Sequence, residues 1–136
     1  MASFVYNEGA NGLLSGGTIT WASDTIKARL VASSATINKD DTSMTGHTAI
    51  GTDQTLGSKT KTKDTTNDRI VFDAADPTWT AVAGGSTVGT VDIFKFVTND
   101  AGSTPICNID ITDTATNGGD ITIVFDATNG CFYLQE

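Results

Sequence analysis

Hydrophobic and polar positions change their period once along this chain, near Thr18. Before that point Tyr6, Ala10, Leu13 and Leu14 fall at i, i+4, i+7 and i+8, one stripe of a helix over residues 4–15, and Gly16-Gly17 can end it in a left-handed cap. Gly9 and Gly12 weaken that helix. After Thr18 the period is two. Ile19 and Trp21 lead to Asp24, and Ile26, Ala28 and Leu30 then alternate with Thr25, Lys27 and Arg29, which predicts a half-buried strand. Residues 33–58 keep no period and carry few large apolar side chains beyond Ile37, Met44, Ile50 and Leu56; they predict an extended loop or arm.

Alternation resumes where Thr60 and Thr62 sit between Lys59, Lys61 and Lys63, and it continues through RIVFDA until Pro77 limits a central ladder. DPTWTAVAGG reads as another strand, ended by Gly84-Gly85. In TVGTVDIFKFVT, Val91, Ile93 and Val97 lie on one face and Phe94 and Phe96 on the other, the pattern of a strand covered on both sides or set at an interface. PICNIDIT opposes Cys107, Ile109 and Ile111 to Asn108, Asp110 and Thr112; TATNGG is a turn; DITIVFD points Ile121, Ile123 and Phe125 one way. Asn129-Gly130 is a hairpin signal leading into CFYLQE, so the C-terminal third predicts a three-stranded antiparallel meander. About eight short strands with one N-terminal helix predict an all-β fold, an antiparallel β-sandwich or small barrel, in a single domain over residues 1–136.

Composition leaves this picture intact and narrows the chemistry. A chain of 136 residues can bury one core, and abundant Thr suits half-exposed strands. Eight Lys and Arg against sixteen Asp and Glu give a net charge of −8, which repels phosphate backbones, so no nucleic-acid partner is expected. Apolar runs are too short to span a bilayer and the N-terminus has no signal-peptide pattern, so synthesis in the cytoplasm and no membrane partner are expected. Lys59, Lys61 and Lys63 form the one basic cluster, read as a solvated strand face, with a basic docking face as the alternative.

His47 is the only histidine, and in SMTGHTAI it reads as an exposed loop residue with no second His or neighbouring Cys to share a metal and no GxSxG beside it. No catalytic residue, metal site or cofactor is therefore expected. The turns NKDDTS, TNDAGS and TNGGD lack EF-hand spacing and read as Asx turns, with calcium binding as the alternative. In the predicted meander Cys107 faces inward and Cys131 outward on non-adjacent strands, beyond disulfide reach, so both are expected as reduced thiols.

The stretch YNEGANGLLSGGTITWASDTIKARLV resembles the opening of a group of small tailed-bacteriophage virion proteins, through Tyr6, Gly9, Leu14, Gly16, Ile19, Trp21, Asp24, Thr25, Ile26 and Lys27. The likeness continues in Phe72 to Asp76 of FDAADPTWTAV and in NGGDITIVFD, and is poor over residues 33–66. It implies a non-enzymatic structural protein similar to capsid cement or decoration proteins. Such a protein would bind the outside of the head, with the major capsid protein and further copies of itself, as a dimer or trimer at a symmetry axis, for partners. A neck, tail or fibre-base component is the alternative position, and a glycan- or calcium-dependent β-sandwich binding module the alternative class. Surface contacts are expected from Tyr6, from Ile37, Met44 and Ile50 of the irregular arm, and from Phe94 and Phe96, although both phenylalanines also suit a core.

Overall fold

The computed structural model describes residues 2–14 and 16–135. Met1, Ser15 and Glu136 lie outside the described residues, so the predicted helix and the final predicted strand are each assessed without one of their members. In chain order the elements are β1 (Phe4–Val5), α1 (Asn7–Leu13), β2 (Ile26–Ala32), β3 (Ala49–Thr55), β4 (Thr60–Asp64), β5 (Arg69–Asp73), β6 (Thr78–Trp79), β7 (Thr87–Val97), β8 (Asn99–Ala115), β9 (Ile121–Thr122) and β10 (Phe132–Gln135). Their pairings are antiparallel, in a five-stranded sheet β1-β8-β7-β2-β3, a three-stranded sheet β10-β5-β4 and the pair β6-β9. The fold is thus all-β with one short helix, as the periodicity predicts.

One hydrophobic cluster joins these sheets. Ala28 and Leu30 of β2 sit across from Ile93 and Val91 of β7, and Ile93 and Val91 sit across from Cys107 and Ile109 of β8, so one face of the three central strands is apolar at these positions. Against it pack Phe72 and Phe132, stacked at 4.7 Å, with Trp21 edge-on to both. Trp79 lies in the same cluster. Burial of these aromatic and aliphatic groups, at roughly 1.5–3 kcal/mol per large side chain, is the main force holding the sheets together.

Four local expectations change. The strand from Ile26 is central rather than half-buried: with β7 on one side and β3 on the other, both its faces are covered and Arg29 is buried as well. The region 33–58 is not a free arm, because its second half is β3 and its first half folds back to bury Met44 and His47. The C-terminal third is not a meander. β9 pairs with β6 and β10 with β5, and Ile123 and Phe125 are buried while Val124 is exposed, so the alternation is real but its strand partners lie elsewhere.

The helix is the fourth. Its buried face is formed by Gly9 and Gly12, whereas Leu14 at the predicted stripe's end is 62% exposed. A Cβ on Gly9 would lie 2.5 Å from the Ile106 Cα, so the helix backbone rests directly on β8. The two glycines that lower its intrinsic propensity are what lets it dock.

Candidate functional site: a closed polar network

The face of the large sheet turned away from the main core carries Arg29 on β2, Asp92 and Phe94 on β7 and Asn108 on β8. It is covered by Tyr6 and by the segment bearing Met44 and His47, all three fully buried or nearly so. Asp92 is the hub. One carboxylate oxygen accepts hydrogen bonds from the Tyr6 hydroxyl (2.7 Å) and the Asn108 amide (2.8 Å), and the other lies 2.7 Å from His47 Nδ1. His47 Nε2 faces Asp41 at 3.1 Å. A neutral imidazole has one N–H, so carboxylates on both ring nitrogens call for the imidazolium.

Arg29 closes the other end. Its guanidinium donates two bonds to Asp53 (2.9 and 2.7 Å), two to Asp100 (3.1 and 2.8 Å) and one to the His47 carbonyl (2.7 Å), and it stacks 5.1 Å from the Phe94 ring. These bonds make the planar fork a tie between β2, β3, the β7–β8 hairpin and the segment before β3. A bulge opposite Arg29, with Gly51 at φ +74°, accompanies the turn of Asp53 toward it. Met44 is held nearby by its N–H, which faces the carbonyls of Asp100 and Ser103 at 3.1 Å each.

The electrostatics follow from this geometry. Burial first, and then Asp92, push the Tyr6 phenol far above its ordinary range. The bonds to Asp53 hold the Arg29 charge still more firmly than usual. Burial pulls the His47 pKa down, but the hydrogen bond and charge of Asp92, followed by those of Asp41, outweigh it and the net shift is upward. Asp100 is held below the usual carboxylate range, chiefly by Arg29. At the other end of β2, burial opposes ionisation of Asp24, but the Thr20 N–H and Lys95 lower its pKa on balance.

A pH profile follows. Because folding raises the His47 pKa, its contribution is complete below the unfolded value of about 6.5 and is lost as pH rises through the folded one. Folding lowers Asp24 and Asp100, so their contributions hold above an unfolded value of about 3.9 and fade as pH falls. Urea midpoints should therefore decline on the alkaline side above about pH 6.5. His47→Gln should flatten that limb; a limb that survives the substitution would remove His47 from this role.

The structure corrects the reading of His47 as an exposed loop residue: it is 3% exposed and both ring nitrogens are engaged. Of the expected contact residues, Tyr6, Met44 and Phe94 are fully buried and cannot form an outer surface, while Ile37, Ile50 and Phe96 are half-buried. Lys27 sits 3.9 Å over the Phe96 ring. Asp92 and Arg29 are the important residues the pattern did not single out. The available signal was a charged residue between apolar neighbours in a strand, Asp92 between Val91 and Ile93 and Arg29 between Ala28 and Leu30.

The network holds charge and fixes chain segments, and it leaves no ring nitrogen free to take a proton from a substrate. Among the described residues no three of His, Cys, Asp and Glu converge in a way that could hold a metal ion. No helix of the described residues is long and apolar enough to cross a membrane. No family model, curated protein or solved structure matches the chain.

Both cysteines are free and buried. Cys131 turns inward, contrary to the meander reading, because β10 joins β5; it and Cys107 line one cleft of about 370 Å³ between β1 and β10. Burial pushes both thiols up, reinforced at Cys107 by Cys131 and Asp92, and at Cys131 by Asp73. Thiols held protonated and out of solvent react slowly. An aromatic disulfide reagent should therefore leave both untouched in the native protein and label both in denaturant; rapid native labelling of either would contradict the packing.

Proposed function

We propose that the protein is a non-enzymatic structural component of a tailed-phage particle, bound to the outside of the head, where it cements neighbouring capsomers. The observation that carries the reading is the use made of the chemistry-bearing side chains: the one histidine, Asp92 and Arg29 are spent on fixing loops to a rigid sheet. Six residues of the phage-like motif serve the same end. Tyr6 bonds Asp92, Gly9 seats the helix on β8, Ile19, Trp21 and Ile26 enter the core, and Asp24 pairs with Lys95. A protein that works by fitting surfaces needs such a frame and gains strength from many weak contacts around a symmetry axis.

In this reading the partners are the major capsid protein and further copies of the chain, and the location is the virion surface. Purified protein is mixed with heads assembled without it, which are then heated. Binding in many copies and a higher temperature of head disruption are expected; heads that neither bind it nor gain stability would refute the reading. Labelling on intact particles separates the head from the neck, tail and fibre base.

A further inference from the structure

We propose that the outer edge of β4 is a docking edge for an extended acidic segment of a partner protein, which adds to the three-stranded sheet with its carboxylates across from Lys61 and Lys63. β4 is the last strand in the order β10-β5-β4, so among the described residues one side of its backbone has no strand beside it. Such an edge is a template for another extended chain. Thr60, Lys61, Thr62 and Lys63 are all exposed. Lys61 and Lys63 sit across from Phe72 and Ile70 of β5, which in turn sit across from Phe132 and Leu134 of β10, so the two lysines share their face with an apolar row.

Charge identifies the occupant. The chain carries twice as many acidic as basic residues, yet among the described residues neither of these lysines makes an ion pair or hydrogen bond. Lys59 differs, since its ammonium is bonded to the Asp24 carbonyl. The nearest acid on the strand, Asp64, is already taken by Arg69 and Asn67. A second copy added through the same edge about a two-fold axis would set lysine against lysine, and like charges directly opposite destabilise a strand pair. The edge therefore rejects itself and favours acids at alternate positions.

Room for neighbouring side chains lies at both ends. A cleft of about 530 Å³ beside Lys63 is lined by Ile70 and Leu134 together with the charged Asp64, Asp68 and Arg69, and one of about 280 Å³ beside Lys61 has Leu13, Leu14, Trp21 and Phe72 in its wall. The segment that fits has Asp or Glu at every second residue, Thr or Val between them, and an apolar residue toward an end. This inference does not rest on the particle reading, since an acidic strand from any protein would meet it.

The test uses a short synthetic peptide alternating Glu with Thr and Val, and its Lys counterpart, titrated into the whole chain with amide exchange read residue by residue. Expected are slowed exchange within residues 60–64 for the Glu peptide, none for the Lys peptide, and affinity about tenfold lower at high salt. The Lys61→Glu/Lys63→Glu double variant should reverse the preference between the two peptides, and Lys61→Arg/Lys63→Arg should retain it. Protection elsewhere, unchanged binding in the Glu variant, or pairing of free protein through β4 would overturn the proposal.

Discussion

Asp92→Ala is expected to cost about 3–5 kcal/mol of folding stability, because it leaves a buried charge and several buried polar groups without their shared acceptor. Asp92 is fully buried and serves the Tyr6 hydroxyl, the Asn108 amide and His47 Nδ1 at once. In the alanine variant His47 Nδ1 has lost its acceptor in either protonation state, and an imidazolium under the sheet would face Asp41 alone. Urea unfolding should show a lower midpoint with little change in slope, since the same surface is exposed on unfolding. Tyr6→Phe alone should cost about 1 kcal/mol, and clearly less in the Asp92→Ala background, where its partner is already gone. A loss under about 1 kcal/mol for Asp92→Ala would mean that the network contributes little to holding the segment.

That network also marks how far the sequence could be read. Periodicity shows Ile26, Ala28 and Leu30 on one face and sets Val91 and Ile93 together on one face of their strand, because burial against a sheet is a repeating demand that leaves a repeating pattern. The segment from Ser33 to Thr48 leaves none, because single polar contacts fix it: Met44 by its backbone N–H, His47 by its ring and its carbonyl. Isolated contacts of that kind have no period to detect. They can be suspected where a charge interrupts an apolar strand, as Asp92 does between Val91 and Ile93.

Strand partnership fails for a different reason. Asn129-Gly130 does make the tight turn its dipeptide signals, with Gly130 at φ +64° and its N–H bonded to the Asp126 carbonyl. A turn signal reports only the local reversal, however. After it, Phe132 to Gln135 run along Arg69 to Phe72, some sixty residues earlier in the chain, where Phe132 stacks on Phe72 inside the core. The predicted β-sandwich character survives since it depends on how many one-faced strands exist, whereas the meander depended on which of them meet.

Gly9→Ala sets two local rules against each other, and the structure determines which prevails. In an isolated helix alanine is better than glycine by about 1 kcal/mol, so propensity alone predicts a gain. Here the new methyl would stand 2.5 Å from the Ile106 Cα and 2.7 Å from the carbonyl oxygens of Ile106 and Pro105. Those are backbone atoms of a paired strand and cannot swing aside, so α1 must lift from β8. Tyr6 immediately precedes the helix, with its N–H on the Ile106 carbonyl and its hydroxyl on Asp92, so lifting the helix also strains the hub. Overpacking of this kind costs about 1–3 kcal/mol, and the coupled polar bonds place Gly9→Ala at the upper end. Gly12→Ala is the control: its methyl would meet the Ile19 side chain at 2.7 Å, and a side chain can change rotamer. Thermal denaturation should rank wild type above Gly12→Ala and Gly12→Ala above Gly9→Ala, and Gly9→Ala combined with Asp92→Ala should lose less than the sum of the two. A Gly9→Ala protein as stable as wild type would show that the helix does not rest on β8 through its backbone, and the route from Tyr6 to Asp92 would then need another support.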